Sequence, residues 1–359
     1  MLTVLFSSRN GASVLPRFLD SLANATPPEG GWKLIAVDNA STDASRSIMQ
    51  SYQDRLPMTV LDEPEPGKNR AMNRALERAE GDIYVFCDDD VVVVPDWLIR
   101  WREAADAQPD FDLFAGKSEP LWPRRPESWV INEIDMGVVF AAHGRIPEGP
   151  CEPAAIFGNN MAIRASAFAD GLRFNPDIGP SAATIYPMGS ETEMLLRLVA
   201  KGHRSWFVEG ARVAHIIRDH QMARPEILLR AYRHGRGRAH IKMEHHYGPA
   251  RLHRKNRLRN ALYPLLMPFM THAEAWARQW EWAVDQGYED GYLEVGGCSS
   301  RWRRGSRGPR IASRFARTAT DCVGSARRSA IASSRLVKSV TIVSGWISAR
   351  REKATAART

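Results

Sequence analysis

Three consecutive aspartates stand at the end of an apolar stretch in DIYVFCDDDVVVVPDW, residues 82–97. Carboxylates repel one another and cost free energy when they are buried, so a core strand does not ordinarily end in three of them. Two arrangements remove that cost. A solvated turn leaves the charges in water, whereas a divalent cation with a phosphate partner turns Asp88, Asp89 and Asp90 into a binding site.

Two other groups of acidic residues lie at the end of a predicted strand and at the start of a predicted helix, where they could take part in binding or catalysis. Asp38 follows the apolar run of LIAVDNASTD, where it can either cap the next turn or accept a hydrogen bond from a nucleobase N–H. Glu191 and Glu193 lie at the start of a helix-like stretch, MGSETEMLLRL. Acids favour first turns because of the helix dipole, but a carboxylate held there can also accept a proton from a hydroxyl group.

The elements that must position these acids can be predicted from periodicity. Residues 1–115 alternate between strand patterns (LTVLFSS, WKLIAVD, MTVLDE, DIYVFCD) and helix patterns (SVLPRFLDSLAN, STDASRSIMQSYQ, GKNRAMNRALERAE, PDWLIRWREAADA). This alternation predicts an α/β fold with a mainly parallel central sheet flanked by helices. Ligands of such sheets bind beyond the carboxyl ends of the strands, where Asp38 and the three aspartates fall.

The rest of the chain has a less regular pattern. In PAAIFGNNMAIRASAF we predict a strand that enters a polar turn, after which the chain leaves as a strand or a helix. We also predict a helix in SETEMLLRLVAKG that ends at Gly202, and a strand in SWFVEGARVAHII. Residues 225–285 have the pattern of amphipathic helices. After Gly296 large apolar residues become rare, which predicts weak order in the tail.

Composition narrows the class of protein. The 359 residues are 44% hydrophobic, enough for a globular core, and the four cysteines are too far apart to indicate a disulfide framework. We therefore expect reduced thiols in a cytosolic protein. No apolar run reaches the roughly 18 residues of a membrane span, and MLTVLFSSRN lacks the basic region typical of a signal peptide.

Charge divides the chain into two parts. Of its 49 Lys and Arg residues, 15 follow residue 300, together with only two of its 41 acidic residues. The body is therefore mildly acidic and the tail strongly basic. Such a tail can stay solvated, or it can contact nucleic acid or anionic lipid. The apolar residues with basic flanks in RLVKSVTIVSGWISARR favour a peripheral contact with the inner face of a membrane over nucleic acid.

A dinucleotide-binding Rossmann fold fits this sequence poorly. The first strand is followed by SSRNGAS, which lacks the GxGxxG turn that holds a pyrophosphate. Without such a backbone cradle, a diphosphate ligand needs cations. This requirement favours a cation at the three aspartates.

Five motifs carry a resemblance to a known family: VLFSSRNGASVLPRFLDSL, VDNASTDAS, PGKNRAMNRALERAEGDIYVFCDDDVVVVPDWL, FGNNMAIR and GSETEMLLRLVAKG. In this order and spacing, over about residues 1–235, the chain resembles the family 2 inverting glycosyltransferases of the GT-A fold. The resemblance implies contacts to the nucleotide or its diphosphate by Ser7, Asp38, Asp43, Gly67, Lys68, Asn73, Asp88 and Asp89. Met72 stands where many relatives have Arg, so Lys68 or Arg70 is expected to supply that phosphate contact.

The resemblance also implies a metal site. The Asp88–Asp90 run matches the family's DxD signature, with Asp90 as the direct ligand of Mg²⁺ or Mn²⁺ and Asp88 at the other end of the motif. His215, in VAHII, corresponds to a histidine that approaches the metal or the diphosphate.

The acceptor side is implied by two motifs. Ser190 replaces the family's first acid, so Glu191 takes the position of the general base and Glu193 a supporting one. The reverse assignment, with Glu193 as the base, stays open. FGNN resembles the acceptor-side loop, which implies contacts by Gly158, Asn159 and Asn160.

Together these features predict a hexosyltransferase-type enzyme of polysaccharide biosynthesis. It would move sugar from a uridine or deoxythymidine diphosphate donor to a glycan or lipid-linked hydroxyl. We predict a glycosyltransferase domain at 1–235, with a nucleotide-binding half (1–115) and an acceptor-binding half (116–235). A helical extension (236–296) and a basic tail (297–359) follow. Two alternatives are a sugar-phosphate nucleotidylyltransferase and a non-catalytic nucleotide- or sugar-binding protein.

Overall fold

The structure, a computed structural model, describes residues 1–244, 254–266 and 270–295. Its strands are β1 (Leu2–Ser8), β2 (Trp32–Asn39), β3 (Met58–Glu63), β4 (Ile83–Cys87), β5 (Val91–Val93), β6 (Leu113–Leu121), β7 (Gly149–Pro150), β8 (Asn160–Arg164) and β9 (Ser205–Ile216). Its helices are α1 (Leu15–Ala23), α2 (Ser45–Ser51), α3 (Lys68–Leu76), α4 (Trp97–Ala107), α5 (Ser128–Asn132), α6 (Met136–Phe140), α7 (Ser190–Ala200), α8 (Arg224–Glu244), α9 (Arg254–Leu266) and α10 (His272–Val295).

The strands form one mixed sheet in the order β3-β2-β1-β4-β8-β6-β9-β5, and β7 pairs with β9. The first four strands of this order are parallel to one another. Strand β8 runs antiparallel to both β4 and β6, while β6 and β9 are parallel. The predicted parallel sheet is thus confirmed for β1 to β4, whereas β5 and β8 add antiparallel pairs.

Both faces of the sheet are covered because its central strands are apolar on both sides. In β1, Val4 and Phe6 pack under α1 and α4, whereas Leu5 faces α3 and α7. Helix α1 presents Leu15, Phe18, Leu19 and Leu22 to the sheet, the spacing of one helical face. The sheet therefore holds the carboxyl ends of β1, β2 and β4 at one edge between two packed layers.

The helices and strands predicted for residues 1–115 are confirmed, with α2 shorter than its pattern suggested. The strand that leaves the polar turn (β8), the helix α7 and the strand β9 are confirmed as well, and Gly202 follows α7 with a positive φ of 93°. The strand predicted before that turn is wrong, because Pro153–Ala155 forms a short 3-10 helix there. The nine-residue strand β6 and the short elements β5, β7, α5 and α6 were not predicted. The predicted boundary at residue 235 falls inside α8, and the domain division stays a prediction. The tail at 297–359 lies outside the described residues.

The helices after β9 pack closely because glycines line their contact. A Cβ at Gly235 of α8 would overlap the backbone carbonyl of Val284, and one at Gly287 of α10 would overlap that of Tyr232. The Tyr232 hydroxyl donates a 2.6 Å hydrogen bond to Asp290. Within the described ranges, we find no helix that is both long and apolar enough to span a membrane.

Candidate functional site

The carboxyl end of β2 holds a buried acid that lacks a full set of partners. Asp38 lies opposite Ser8 of β1 in the parallel register and is 7% exposed. Its Oδ1 atom is buried and has no hydrogen-bond partner among the residues that the structure describes. Because an unsatisfied buried acceptor costs free energy, this atom is suited to accept an N–H from a ligand.

The three carboxylates of the turn between β4 and β5 contact three different sets of partners. Asp88 pairs with the ammonium group of Lys68 at the start of α3. Asp89 accepts a 2.5 Å hydrogen bond from the Ser8 hydroxyl at the end of β1. Burial and the neighbouring Asp90 carboxylate raise the pKa of Asp89. This turn is therefore not the solvated acidic loop that the sequence alone allowed.

Asp90 faces two basic groups at the end of β9. Its Oδ1 lies 3.5 Å from His215 Nε2, and its Oδ2 lies 3.6 Å from the Arg218 guanidinium. Burial alone would raise the pKa of Asp90, but the hydrogen bond and charge of His215, followed by Arg218 and Lys68, lower it. The ladder that pairs Val91 with His215 fixes this arrangement.

The other ring nitrogen of His215 is engaged. Nδ1 lies 2.7 Å from the carbonyl oxygen of Phe140, so it donates its hydrogen there and Nε2 is the atom that faces Asp90. Burial opposes the imidazolium form, but Asp90 outweighs it and raises the pKa of His215. In the neutral ring, Nε2 would present a lone pair beside a carboxylate oxygen, a donor set suited to a divalent cation.

Lys68 is half-buried between acids from separate elements. Burial would lower the pKa of Lys68, but the carboxylates of Asp88, Glu191 and Asp90 raise it well above its usual value. Its backbone N–H donates to the Pro180 carbonyl oxygen at 2.9 Å. Lys68 therefore keeps its charge at this edge of the sheet, where an anionic ligand would meet it.

The two acids at the start of α7 lie in different environments. Glu193 is 1% exposed and pairs with Arg197 one turn later, at 2.7 Å. Glu191 is partly exposed and faces Gly158, where an added Cβ would lie 3.4 Å from Glu191 Cδ. Gly189, just before the helix, has a φ of 114°, which an L-residue adopts only under strain. This entry turn directs Glu191 toward the 157–160 loop.

The predicted acceptor residues separate into two groups. Gly158 is partly exposed beside Glu191, and Asn159 is buried with its Nδ2 donating to the Ser118 hydroxyl at 2.9 Å. Asn159 Oδ1 has no partner among the described residues. Asn160 is fully buried: it accepts from Trp97 Nε1 and donates to the carbonyl oxygens of Lys117 and Ala211. These bonds correct the prediction for Asn160, whose amide is used to join strands inside the core.

Two of the residues predicted to contact the nucleotide have side chains that hydrogen-bond to backbone groups of the protein. Asn73 pairs both ways with the backbone of Phe174, at 2.8 and 2.9 Å. Asp43 accepts hydrogen bonds from the backbone N–H groups of Ala12 and Ser45, which ties the loop after β1 to α2. In both residues the polar atoms support the rim of the site. A direct contact with the nucleotide stays a prediction for each.

The last two nucleotide residues lie at element ends. Ser7 is half-buried near the end of β1, opposite Val37. Gly67 precedes α3, and its N–H donates to Asn39 Oδ1 at 2.8 Å. Met72, where an Arg is common in the resembled family, is 3% exposed and lines a small cavity with Lys68 and Glu191, where it offers no charge to a phosphate.

Two residues that contact the aspartates of the site could not be predicted from the sequence. Arg218 approaches Asp90, and Ser8 binds Asp89, yet neither residue type is unusual at its position. In the described residues, no group of three or more His, Cys, Asp or Glu side chains is spaced to hold a metal ion. A cation here would therefore have few protein ligands, and a ligand's phosphates and water would supply the others.

The mixed sheet and its flanking helices form a GT-A fold. A mannosyltransferase from Pyrobaculum calidifontis, solved with GDP-Man and Mn²⁺, matches it with a TM-score of 0.50 at 19% identity, over 89% of this chain and 79% of that one. Residues 3–130 match the glycosyl transferase family 2 profile. This match, over about a third of the chain, confirms the resemblance to family 2 glycosyltransferases for these residues.

The chain is also similar in sequence to known glycosyltransferases, over part of their length. A poly(ribitol-phosphate) beta-glucosyltransferase of Bacillus spizizenii is 29% identical over 39% of this chain and 23% of its own length. The poly(ribitol-phosphate) beta-N-acetylglucosaminyltransferase TarS of Staphylococcus aureus is 30% identical over 24% of this chain and 16% of its own. The chain spans less than a quarter of the length of these two relatives.

Proposed function

We propose that this protein is a metal-dependent, inverting glycosyltransferase that moves a sugar from a nucleoside diphosphate sugar to a hydroxyl group. One observation carries the proposal: a buried acid with an unpaired oxygen (Asp38), an acid–imidazole pair (Asp90 and His215) and a partly exposed acid (Glu191) meet at one edge of the sheet. These groups match the three needs of the reaction, namely donor recognition, charge neutralisation and proton removal.

Donor recognition is assigned to Asp38 and Lys68. The unpaired Oδ1 of Asp38 would accept the N3–H of a uracil or thymine ring, whereas the corresponding ring nitrogen of adenine, N1, carries no hydrogen. Lys68 keeps its charge beside Asp88 and would face the diphosphate. We therefore expect a uridine or deoxythymidine diphosphate donor.

The metal is assigned to Asp90 and His215, with Asp88 nearby. The donor set fits Mg²⁺ or Mn²⁺ because His215 donates through Nδ1 to Phe140 and turns Nε2 toward an ionised carboxylate. A bound divalent cation would neutralise the charge that develops on the diphosphate leaving group. Arg218, which faces the other oxygen of Asp90, would hold that carboxylate in its ionised form.

The transfer step needs a base on the acceptor side, and we assign it to Glu191. The acceptor oxygen forms a bond to the anomeric carbon while the bond from that carbon to the diphosphate oxygen breaks with its electron pair. The hydroxyl proton passes to the Glu191 carboxylate, and the anomeric configuration inverts. Glu193, buried against Arg197, would support the helix start that holds Glu191.

The acceptor is proposed to be a glycan, polysaccharide or lipid-linked hydroxyl that approaches over Gly158. The poly(ribitol-phosphate) acceptors in the names of two relatives support a polymeric hydroxyl substrate. The basic tail beyond Arg301 is proposed to contact an anionic membrane surface, with the enzyme at the cytoplasmic face. Flotation of the protein with anionic vesicles in low and high salt tests this contact, and binding unaffected by salt would contradict it.

Two other functions are less well supported. A nucleotidylyltransferase needs a glycine-rich basic loop after its first strand, and SSRNGAS is not such a loop. A non-catalytic binding protein would not require Glu191 beside Gly158.

A donor screen separates the three functions. Purified protein is incubated with a panel of nucleoside diphosphate sugars and simple hydroxyl acceptors, and released nucleoside diphosphate is measured in Mn²⁺ and in EDTA. We expect release from a uridine or deoxythymidine donor in Mn²⁺ only, and a product of inverted configuration by NMR. Full release in EDTA would refute the metal dependence, and formation of nucleoside triphosphate from pyrophosphate would favour nucleotidyl transfer.

Asp38→Ala tests in the same system whether Asp38 recognises the nucleobase of the donor. Calorimetry with a panel of nucleoside diphosphates should give a preference for uridine or deoxythymidine that this variant loses. Equal affinity for all bases in the unmodified protein would refute the assignment.

A further inference from the structure

A cavity of about 430 Å³ lies between α4, β9 and the chain just before β7. Its volume is in the range of ligand pockets, roughly 300–1,000 Å³. Asp90 and Val94 flank β5 at opposite ends, about 13 Å apart along the strand, and Val94 lines the cavity. The cavity is therefore separate from the candidate site at the carboxyl ends of the strands. Its other lining residues include Arg100, Glu103, Glu148, Trp206, Gly210 and Arg212.

A bulge in β9 shapes one wall of this cavity. The ladder between β6 and β9 skips residues 209–211. From the core side, Asn160 Nδ2 donates a 2.8 Å hydrogen bond to the carbonyl oxygen of Ala211, which holds the bulge in place. Gly210 leaves room for a neighbour, since an added Cβ would come within 2.9 Å of Arg100 Cδ. Bulges of this kind are built features and are frequent next to functional sites.

Trp206 supplies an apolar surface to the cavity. The side chain is partly exposed, and its ring centroid lies 4.9 Å from that of the buried Phe111. This packing holds the indole in place before any ligand binds. The face of an indole carries partial negative charge and attracts C–H groups such as those on one side of a sugar ring.

The charged groups of the cavity limit the class of ligand. Three acids and two basic residues line it, namely Asp96, Glu103, Glu148, Arg100 and Arg212. Arg100 already pairs with Asp96 at 2.8 Å and with Glu103 at 3.1 Å. Among the residues that the structure describes, Glu148 pairs with no basic side chain and accepts a 3.3 Å hydrogen bond from the Glu209 N–H.

This balance of charge disfavours two kinds of ligand. The excess of carboxylates opposes a phosphate or a nucleotide, and an apolar ligand would remove five charged groups from water without replacing their hydrogen bonds. A neutral saccharide meets both conditions, because each of its hydroxyl groups can donate to a carboxylate and accept from a guanidinium group.

We propose that this cavity binds a neutral saccharide unit, with the sugar ring against the Trp206 indole and its hydroxyl groups on the carboxylates of Glu103 and Glu148. The site is distinct from the acceptor position proposed over Gly158. It uses none of the residues assigned to the transfer reaction, so it stands or falls independently of that assignment.

The test is calorimetry with three neutral tetrasaccharides: cellotetraose, maltotetraose and tetra-N-acetylchitotetraose. Full-length protein is measured in EDTA and without nucleotide, so the result does not depend on donor or metal binding. Glu103→Ala with Glu148→Ala forms the carboxylate variant. The matched control, Glu77→Ala with Glu80→Ala, also removes two exposed carboxylates, one of which pairs with an Arg three residues earlier as Glu103 does.

We expect at least one tetrasaccharide to bind the unmodified protein. The carboxylate variant should lose at least about tenfold in affinity, about 1.4 kcal/mol. The control should bind like the unmodified protein, and both should keep its melting temperature because exposed ion pairs contribute little to stability.

A second pair of variants tests the indole. Trp206→Ala should lose at least about tenfold in affinity, measured at a temperature where the variant is folded. Trp206→Phe keeps an aromatic face and should recover part of the binding. Equal loss in both, with equal falls in melting temperature, would mean that Trp206 only packs against the core and would contradict its contact with the sugar.

Three other results would overturn the proposal. The first is the absence of binding by all three tetrasaccharides at millimolar concentration. The second is binding that the carboxylate variant keeps and Glu191→Gln loses, which would place the saccharide at the candidate site instead. The third is displacement of the saccharide by an equal concentration of inorganic phosphate, which would mean that the guanidinium groups form an anion site.

Discussion

Replacing Glu191 with Gln removes one negative charge and keeps the shape of the side chain. The carboxylate faces Gly158 and is partly exposed, so the change leaves the packing of α7 intact. If Glu191 accepts the acceptor proton, turnover should fall by about 10²–10⁴-fold, the usual contribution of a general base. That loss corresponds to roughly 3–5 kcal/mol of transition-state stabilisation.

Glu193→Gln is the matched control, since it makes the same chemical change two residues along the same helix. Glu193 is buried and pairs with Arg197 at 2.7 Å. Losing a hydrogen bond between charged groups costs about 1.5–3 kcal/mol. For a domain of this size, each kcal/mol lowers the melting temperature by about 2–4 °C. Glu193→Gln should therefore melt several degrees lower and keep most of its turnover at a temperature where it is folded.

The assay measures three quantities for each variant: turnover at saturating donor, donor affinity by calorimetry, and melting temperature. We expect Glu191→Gln to lose turnover alone and Glu193→Gln to lose melting temperature alone. Near-normal turnover in Glu191→Gln, or a loss explained by weaker donor binding, would refute the assignment. A larger loss of turnover in Glu193→Gln would make that residue the base.

Three further predictions concern other parts of the molecule. Asp90→Asn should abolish metal-stimulated turnover and weaken nucleotide affinity in Mn²⁺ but not in EDTA; equal weakening in both would assign Asp90 to the nucleotide instead. Gly235→Ala would force a methyl group against the Val284 carbonyl and should cost about 1–3 kcal/mol of unfolding free energy in denaturant titrations, whereas Gly144→Ala, with open space around it, should be near neutral. Burial, with a smaller effect of the neighbouring Glu152, raises the pKa of the Cys151 thiol to about 11. Its alkylation by iodoacetamide should therefore keep accelerating as the pH rises toward about 11 and the thiolate forms; a plateau near pH 8 would contradict this.

The parallel half of the fold could be predicted because its signals are long and periodic. Strands β1 to β4 and the helices between them each contain enough apolar residues to fix a period. Strand β5 has three residues and β7 has two, too few for any period to appear. The antiparallel course of β8 depends on pairing with β4 and β6, which are distant in sequence.

The sequence identified many residues of the candidate site, but it did not show which of them lie next to one another. Asp90 and His215 were both identified, but their proximity depends on a register between β5 and β9 that no local pattern reveals. Arg218 follows His215 closely and is one of 49 basic residues in the chain, so nothing in its local sequence marked it.

The two asparagines of FGNN show why adjacent residues of one type resist assignment. Side chains alternate across a strand, so Asn159 and Asn160 must point in different directions. Which of them enters the core depends on where β8 begins, and strand ends cannot be predicted to one residue. The structure assigns the core position to Asn160, where its amide bonds to β6, β9 and α4.

The register between β5 and β9 bears on how a chain of this kind can diversify. Val91 lies opposite His215, so the spacing of Asp90 and His215 is set by a strand ladder and not by a loop. The chain between β6 and β8, residues 122–159, contributes only the two residues of β7 to the sheet. Insertions or exchanges in that segment that keep α6, whose Phe140 carbonyl holds the His215 ring, would therefore leave the acid–imidazole pair at its present spacing. Evolution, or a protein engineer, can alter the side of the molecule proposed to meet the acceptor while the side proposed to hold the donor stays unchanged.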